Sequence, residues 1–264
     1  MKINLDDKVT RFLVQEYVNK ICNYTKETDL SWHVYKLIHT FNVVEMAQRL
    51  IARTRPCLSK QMQKHILDAA LLHDVGRCYE FKDGKRLNVD HGKIGAKLIK
   101  ENFPNMRIEA QSTLFHNKIP SNKDPKACQP VLDYVRDADM LANLKQQVDD
   151  VALWLFHISK NCDKSFLTPV IDKEIFQAAK KSCSVQCERL KTRNLLTMWL
   201  WELCWVYNLK TQAGLDYARK EKIFIRFKQM LFKKIIPLTT KDLKKQKKLI
   251  QQIQAYFPDA LFLK

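Results

Sequence analysis

The chain has 264 residues, of which 46% are hydrophobic, and this supply of apolar side chains argues for a folded core and against global disorder. Lys and Arg number 46 against 28 Asp and Glu, and the net charge of +18 favours anionic partners such as nucleotides, nucleic acid or an anionic membrane surface. A solvated, lysine-rich surface is the alternative explanation. The 8 cysteines include no CxxC pair, and the chain is too long for a disulfide-stapled miniature, so we expect reduced thiols and a cytoplasmic protein.

Long helical patterns broken by only 5 Gly and 8 Pro predict an all-α fold. A first helix is indicated by apolar residues at helical spacing between Val9 and Ile21, and residues 1–7 lack the apolar core of a signal peptide. A polar connection over residues 26–30 leads to a second helix from about residue 32 to residue 53. His39 lies in the middle of the apolar stripe of this helix, where a lone histidine is usually a hydrogen-bonded core residue.

The third predicted helix, capped by Ser59, delivers His73 and Asp74 at its carboxyl end. His73 shares a face with apolar residues one and two turns earlier, so the pair should be buried. A buried carboxylate without a partner costs several kcal/mol, and a metal ion removes that cost because it binds neutral imidazole together with ionised carboxylate. Gly76 is predicted to end this helix.

Three further candidates lie at separate predicted helices. Asp90 is typical of an N-cap, which places His91 in the first turn of a helix, where the helix dipole favours neutral imidazole. His116 lies at the end of the following helix, before a predicted connecting loop over residues 118–130. Asp139 lies on the apolar stripe of a helix over about residues 130–143, whereas Arg136 and Asp137 are expected to pair on the surface.

The remaining sequence predicts more helices and no further His/Asp cluster. One helix is indicated around residues 148–158, with His157 as a structural residue, and the Trp-rich residues 195–209 are predicted to be a buried helix that is too short to span a bilayer. The last helix, over about residues 243–257, could pack on the domain or form a dimer contact. Five lysines within residues 241–248 are interpreted as a solvated helix face, with nucleic-acid binding as the alternative.

Three of these stretches together resemble the HD-domain superfamily of metal-dependent phosphohydrolases. They are His39 in His-Thr-Phe-Asn-Val-Val-Glu-Met-Ala, the pair His73 and Asp74 in Leu-Leu-His-Asp-Val-Gly-Arg, and Asp139 in Asp-Ala-Asp-Met-Leu, which match the order H…HD…D. Asp137 is the competing assignment for the last ligand. The resemblance implies an HD-domain helical bundle over roughly residues 30–145, a packed N-terminal helix in residues 1–29 and a C-terminal helical extension over residues 146–264.

His91 in Asp-His-Gly-Lys-Ile-Gly-Ala and His116 in Leu-Phe-His-Asn-Lys resemble the two additional histidines of the bimetallic branches of this superfamily. The GYP-type signature is missing, which counts against the cyclic-di-GMP branch. The resemblance implies a first ion on His39, His73, Asp74 and Asp139, and a second on His91 and His116, with Asp74 bridging the two. Mixed imidazole and carboxylate ligands favour Fe or Mn, and Co, Ni and Mg stay open.

By the same resemblance, the ions would activate water for hydrolysis of a nucleotide or another phosphoester, with Asp74 at the centre of the reaction. Arg77 stands where the family often has Lys and would offset charge on the substrate, with Lys93 and Lys118 as further candidates.

Two other functions fit the same residues. The six-ligand pattern also resembles the diiron oxygenases of this superfamily, although the net positive charge favours an anionic substrate. The second alternative is a nucleic-acid-binding or regulatory HD module without turnover. The C-terminal helices are a candidate surface for oligomer formation, and no membrane span is expected.

Overall fold

A computed structural model describes residues 8–23, 27–82, 85–87, 89–118, 124–150 and 164–263. The chain divides into two compact units. Unit 1 comprises Met1–Ala142 together with Lys210–Gly214, and unit 2 comprises Asn143–Leu209 together with Leu215–Lys264. The domain limits expected from the sequence stay predictions.

Unit 1 is built from helices and one short hairpin, which confirms the predicted all-α class. Its elements in chain order are α1 (Lys8–Asn23), α2 (Glu27–Arg53), α3 (Lys60–Leu72), a 3₁₀ helix (Val75–Tyr79), β1 (Phe81–Lys82), β2 (Lys85–Arg86), α4 (His91–Asn102), α5 (Arg107–Phe115), a 3₁₀ turn (Lys126–Cys128) and α6 (Gln129–Asp149), the last of which continues into unit 2. The strands are antiparallel, with Lys82 paired to Lys85, and the two residues between them lie outside the described residues.

Local sequence explains the starts of α3 and α4 in unit 1. The side chain of Ser59 accepts a hydrogen bond from the backbone N–H of Met62, and Asp90 accepts one from the N–H of Lys93, so both predicted caps are confirmed. The predicted connection over residues 26–30 is wrong from Glu27 onward, because α2 begins there, and residue 26 lies outside the described part. α6 likewise begins at Gln129 and extends six residues beyond the predicted end at residue 143.

Gly76 does not end α3, as the sequence predicted. The helix ends at Leu72, and Gly76 lies within the following 3₁₀ helix. A Cβ atom on Gly76 would lie 2.0 Å from the backbone oxygen of His91, at the start of α4. The glycine is therefore explained by the close backbone approach of two elements, and this approach brings the end of α3 beside the first residue of α4.

Unit 2 is also helical in the residues that the structure describes. Its elements are a 3₁₀ helix (Lys164–Leu167), α7 (Lys173–Lys180), a 3₁₀ turn (Cys187–Arg189), α8 (Leu195–Leu203), a 3₁₀ helix (Cys204–Asn208), α9 (Gln212–Lys220), whose first three residues belong to unit 1, α10 (Ile223–Met230), a π segment (Leu231–Ile235), α11 (Ile236–Thr239), α12 (Leu243–Tyr256) and a final 3₁₀ helix (Asp259–Phe262). The predicted helix around residues 148–158, with His157, falls mostly outside the described residues, which resume at residue 164.

The core of unit 2 is centred on the Trp-rich segment. Trp199 on α8 is fully buried and stacks on Phe227 of α10 with ring centroids 4.3 Å apart. The segment is thus buried, as predicted, although its second half is 3₁₀ rather than α-helical. No helix within the described residues is long and apolar enough to cross a membrane.

Candidate metal centre

Six side chains predicted as metal ligands meet inside unit 1. They come from five helices or helix ends: His39 from the middle of α2, His73 and Asp74 from the end of α3, His91 from the first turn of α4, His116 from the end of α5, and Asp139 from the middle of α6. The four histidines and Asp74 are all buried, with at most 6% of their surface exposed. The packing of these helices therefore brings together residues that are far apart in the sequence.

The first group is formed by His39, His73 and Asp139. His39 Nε2 lies 3.0 Å from Asp139 Oδ1, and His73 Nε2 lies 3.8 Å from the same oxygen. His73 Nδ1 lies 2.7 Å from the carbonyl oxygen of Ala70, which requires the proton on Nδ1. Nε2 of His73 therefore presents its lone pair to the interior of the site.

The second group is formed by His91, His116 and Asp74. His116 Nδ1 lies 2.7 Å from the carbonyl oxygen of Thr113, so its Nε2 also presents a lone pair, 3.3 Å from Asp74 Oδ1. His91 Nδ1 lies 3.1 Å from Glu80 Oε1, and its Nε2 lies 3.5 Å from Asp74 Oδ1. Carbonyl and carboxylate partners of this kind are typical of histidines that bind metal through the other nitrogen.

Asp74 joins the two groups through its two carboxylate oxygens. Oδ1 faces His91 and His116, and Oδ2 lies 3.7 Å from His73 Nε2. Two cations also contact this carboxylate: Arg77 Nε lies 3.1 Å from Oδ1, and Lys36 Nζ lies 3.4 Å from Oδ2.

The donor atoms fit a divalent metal ion. Nε2 of His73 faces the site, is buried and makes no hydrogen bond with any described residue. Coordination of a metal ion would remove the cost of leaving this nitrogen without a hydrogen bond. Two sets of potential ligand atoms, each within 4.8 Å of one another, occur in the described part of the chain: His39 with His73 and Asp139, and His73 with Asp74 and His116. Cys183 and Cys187, which share a helical spacing in the sequence, belong to neither set.

The carboxylates of the site are held in the ionised form that a metal requires. Burial alone would raise the pKa of Asp74, but the charges of Arg77 and Lys36 outweigh burial and hold this pKa well below its usual range. Burial likewise opposes ionisation of Asp139, but its hydrogen bond with His39 holds its pKa below the usual range. Both groups are therefore anionic at neutral pH.

Two histidines of the site are held in the neutral form. Burial lowers the pKa of His73 to about 4, and the nearby carboxylates offset only part of this effect. Burial and the charge of Arg77 lower the pKa of His91. Neutral imidazole beside ionised carboxylate is the combination that binds divalent metals without first releasing a proton.

Asp139, and not Asp137, lies beside the histidines. The carboxylate of Asp137 accepts hydrogen bonds from the backbone N–H groups of Lys210 and Thr211 and from the Thr211 hydroxyl. The expectation that Arg136 and Asp137 pair on the surface is wrong, because both are buried and Arg136 instead pairs with Asp124. Two positions separate Asp137 from Asp139 on α6, and this rotation by about half a turn gives them different neighbours.

Three residues of the site were not identified from the sequence. Lys36 contacts Asp74, Glu80 contacts both His91 and Arg77, and Asn117 Nδ2 lies 3.3 Å from His91 Nε2. For Lys36 a signal existed, because it precedes His39 by three residues and so shares its helix face. Glu80 and Asn117 follow the predicted ligands in irregular segments, where the spacing of residues does not predict which way a side chain points.

A comparison with protein families identifies the segment that carries these ligands. Residues 37–144 match the family model of the HD domain, and this range includes all six candidate ligands. No curated protein and no solved structure matches the chain. The predicted HD-superfamily relationship is confirmed by this match, which does not address the two-ion branch. Residues 37–144 are therefore similar to the HD domain, and the match covers less than half of the chain.

Proposed function

We propose that this protein is a metal-dependent phosphohydrolase that acts on a nucleotide or another phosphoester. The observation that carries the proposal is the position of Asp74, whose two oxygens face two separate sets of imidazole nitrogens. A carboxylate placed in this way is suited to bridge two cations, and HD domains are commonly metal-dependent hydrolases.

In this proposal the first ion is held by His39, His73, Asp74 and Asp139, and the second by Asp74, His91 and His116. Fe or Mn suits this mixture of nitrogen and oxygen ligands, with Co, Ni or Mg as alternatives. When bound, a pair of divalent ions lowers the pKa of a shared water and stabilises the negative charge that develops on the phosphate.

Residues around the ligands have supporting roles in this proposal. Glu80 holds the Nδ1 proton of His91 and thereby leaves Nε2 for the metal, as the carbonyl oxygens of Ala70 and Thr113 do for His73 and His116. Arg77 stays a candidate for binding the negative charge of the substrate, although its Nε and Nη1 atoms already contact Asp74 and Glu80.

The same ligands would also suit a diiron oxygenase. The basic composition favours the hydrolase, because a net charge of +18 attracts phosphorylated substrates. Oxygen uptake by the iron-loaded protein, without release of phosphate from any ester, would reverse this preference.

The test is phosphoesterase activity of the manganese-loaded protein with p-nitrophenyl phosphate, bis(p-nitrophenyl) phosphate and a panel of nucleotides. Asp74→Asn keeps the shape of the side chain but removes the charge that both ions require, so we expect activity to fall at least about 100-fold while the helical content is unchanged. The matched control is Glu109→Gln, which alters another buried carboxylate of unit 1 that contacts a histidine, His65, outside the site. Full activity in Asp74→Asn would refute the proposed centre.

A further inference from the structure

A buried lysine lies at the edge of the metal centre and one residue before the segment that matches the HD family. The side chain of Lys36 is only 9% exposed, and its ammonium group lies 3.4 Å from Asp74 Oδ2. It also lies over the rings of Trp32 and Tyr35, at 5.3 Å and 5.8 Å from their centroids. The rings and the site carboxylates thus surround this cation.

The ammonium group of Lys36 has more N–H donors than its described neighbours accept. An ammonium carries three N–H donors, but the side chain of Lys36 makes one hydrogen bond with the described residues, to Asp74 at the long distance of 3.4 Å. A buried charge with unused donors is costly unless a further acceptor completes it. An anion that enters the site would supply such an acceptor.

Metal binding would increase this demand. An ion on Asp74 would share the charge of the carboxylate, so Lys36 would lose most of its counter-charge and would face a cation instead. A phosphate group satisfies both the ion and the ammonium, because its several oxygens can accept from each at once.

Arg77 is less suited to this task than Lys36. Its Nε donates to Asp74 Oδ1 at 3.1 Å, and its Nη1 donates to Glu80 Oε1 at 2.7 Å. These two contacts direct the guanidinium at the scaffold around His91, whereas Lys36 makes one long contact, to Asp74.

We propose that Lys36 binds the phosphate of the substrate and is the main determinant of specificity for phosphorylated compounds. The inference deepens the proposed function, on which it rests, and transfers to Lys36 the role first considered for Arg77. The ligand is a phosphate monoester or diester anion, held between Lys36 and the metal ligands, with Trp32 and Tyr35 beside it.

The experiment compares Lys36→Met, Lys36→Arg and Lys97→Met in the full-length, manganese-loaded protein. Inorganic phosphate is the probe, its affinity is measured by calorimetry, and bound manganese is counted in the same samples. Lys97 is the matched control because it is a lysine of unit 1 whose side chain is 77% exposed, so its loss changes the net charge equally. Steady-state kinetics with the best ester of the panel give KM and kcat for each variant.

We expect Lys36→Met to weaken phosphate binding at least about tenfold and to raise KM more than it lowers kcat, since a charge-assisted hydrogen bond is lost. Manganese content should stay at the wild-type value, Lys36→Arg should recover most of the affinity, and Lys97→Met should match wild type.

Phosphate affinity of Lys36→Met within twofold of wild type would overturn the assignment, and so would a wild-type protein that binds no phosphate. Loss of manganese in both Lys36 variants would overturn it as well, because Lys36 would then be part of the scaffold. If phosphate binding depends on Lys36 but no ester is hydrolysed, the proposed function fails while the anion site stands. If wild type and Lys36→Met hydrolyse esters equally, the proposed function stands while the assignment of Lys36 fails.

Discussion

Asp74 is surrounded by five nitrogen atoms, from three histidines and two cationic side chains. Removal of a carboxylate from water normally favours its protonated form, and here the charges of Arg77 and Lys36 reverse that preference. With neutral histidines, the three carboxylates Asp74, Asp139 and Glu80 exceed the two cations by one negative charge. Two divalent ions would make the site strongly positive, which explains why a phosphate anion would be drawn to it.

The assignment of Asp139 rather than Asp137 leads to a paired prediction. Asp139→Ala should lower the affinity for manganese at least about tenfold, because one charged ligand is removed. Asp137→Ala should leave manganese binding unchanged but lower the free energy of unfolding by about 1–3 kcal/mol. The reason is that the buried N–H groups that donate to its carboxylate would lose their acceptor. Manganese titration and urea denaturation of both variants provide the measurements, and the opposite pattern would contradict the assignment.

How much of the site could be predicted depends on what each residue signals locally. His73 and Asp74 stand together at the end of an apolar helix, and His91 follows a capping aspartate, so chemistry and position agree in the sequence. Lys36 and Glu80 carry no such mark, because buried charges follow from tertiary packing and a lysine on a helix is normally solvated.

At the scale of elements, the sequence predicted the starts of α3 and α4 but not the end of α3. Ser59 and Asp90 cap their helices through hydrogen bonds within three residues, which the sequence alone specifies. Gly76 was assigned to a helix end, but its function depends on α4, fifteen residues later, whose backbone approaches it too closely for a Cβ atom. Contacts of this range are invisible to local patterns.

Helix α8 carries a buried acid, Glu202, from which a dependence of stability on pH can be predicted. Glu202 is 9% exposed and its Oε2 makes no hydrogen bond with a described residue, so burial raises its pKa to about 8, although a hydrogen bond from Gln147 lowers it in part. In the unfolded chain this group titrates near its ordinary pKa of about 4.3. Between these two values the folded protein binds more protons, and its stability falls as pH rises through that window.

Glu202→Gln should therefore flatten this dependence. We expect wild type to lose stability between about pH 6 and about pH 8, by at most about 1.4 kcal/mol per pH unit from this group, and the variant to lose less. Urea denaturation at both pH values measures the difference. Asp216→Asn is the control, since its side chain is 52% exposed, and an equal pH dependence in wild type and Glu202→Gln would refute the buried neutral acid.

At the scale of the whole molecule, the HD match covers most of unit 1, and unit 2 lies almost entirely outside it. The lysines of residues 241–248 are exposed around α12, in agreement with a solvated face, and their contact with nucleic acid stays an alternative that salt-dependent binding would reveal. The use of the C-terminal helices in an oligomer is likewise a proposal.

The fold class was predictable because helical periodicity extends through the chain and few residues break it. Division into two units was less accessible, because residues 210–214 return to unit 1 through their hydrogen bonds with Asp137, more than seventy positions earlier. Such a return has no periodic signature.

The number of metal ions per chain is the first measurement to make, because it tests whether Asp74 joins two metal sites. The protein would be purified without chelator and without air, then analysed for bound metals as isolated and after manganese loading, together with His91→Ala. We expect two ions per wild-type chain, of iron or manganese. We expect one ion in His91→Ala, because the proposed role of His91 is confined to the second ion. A folded wild-type protein that binds no ion would contradict the metal centre, and a single ion in both proteins would contradict the bridging role of Asp74.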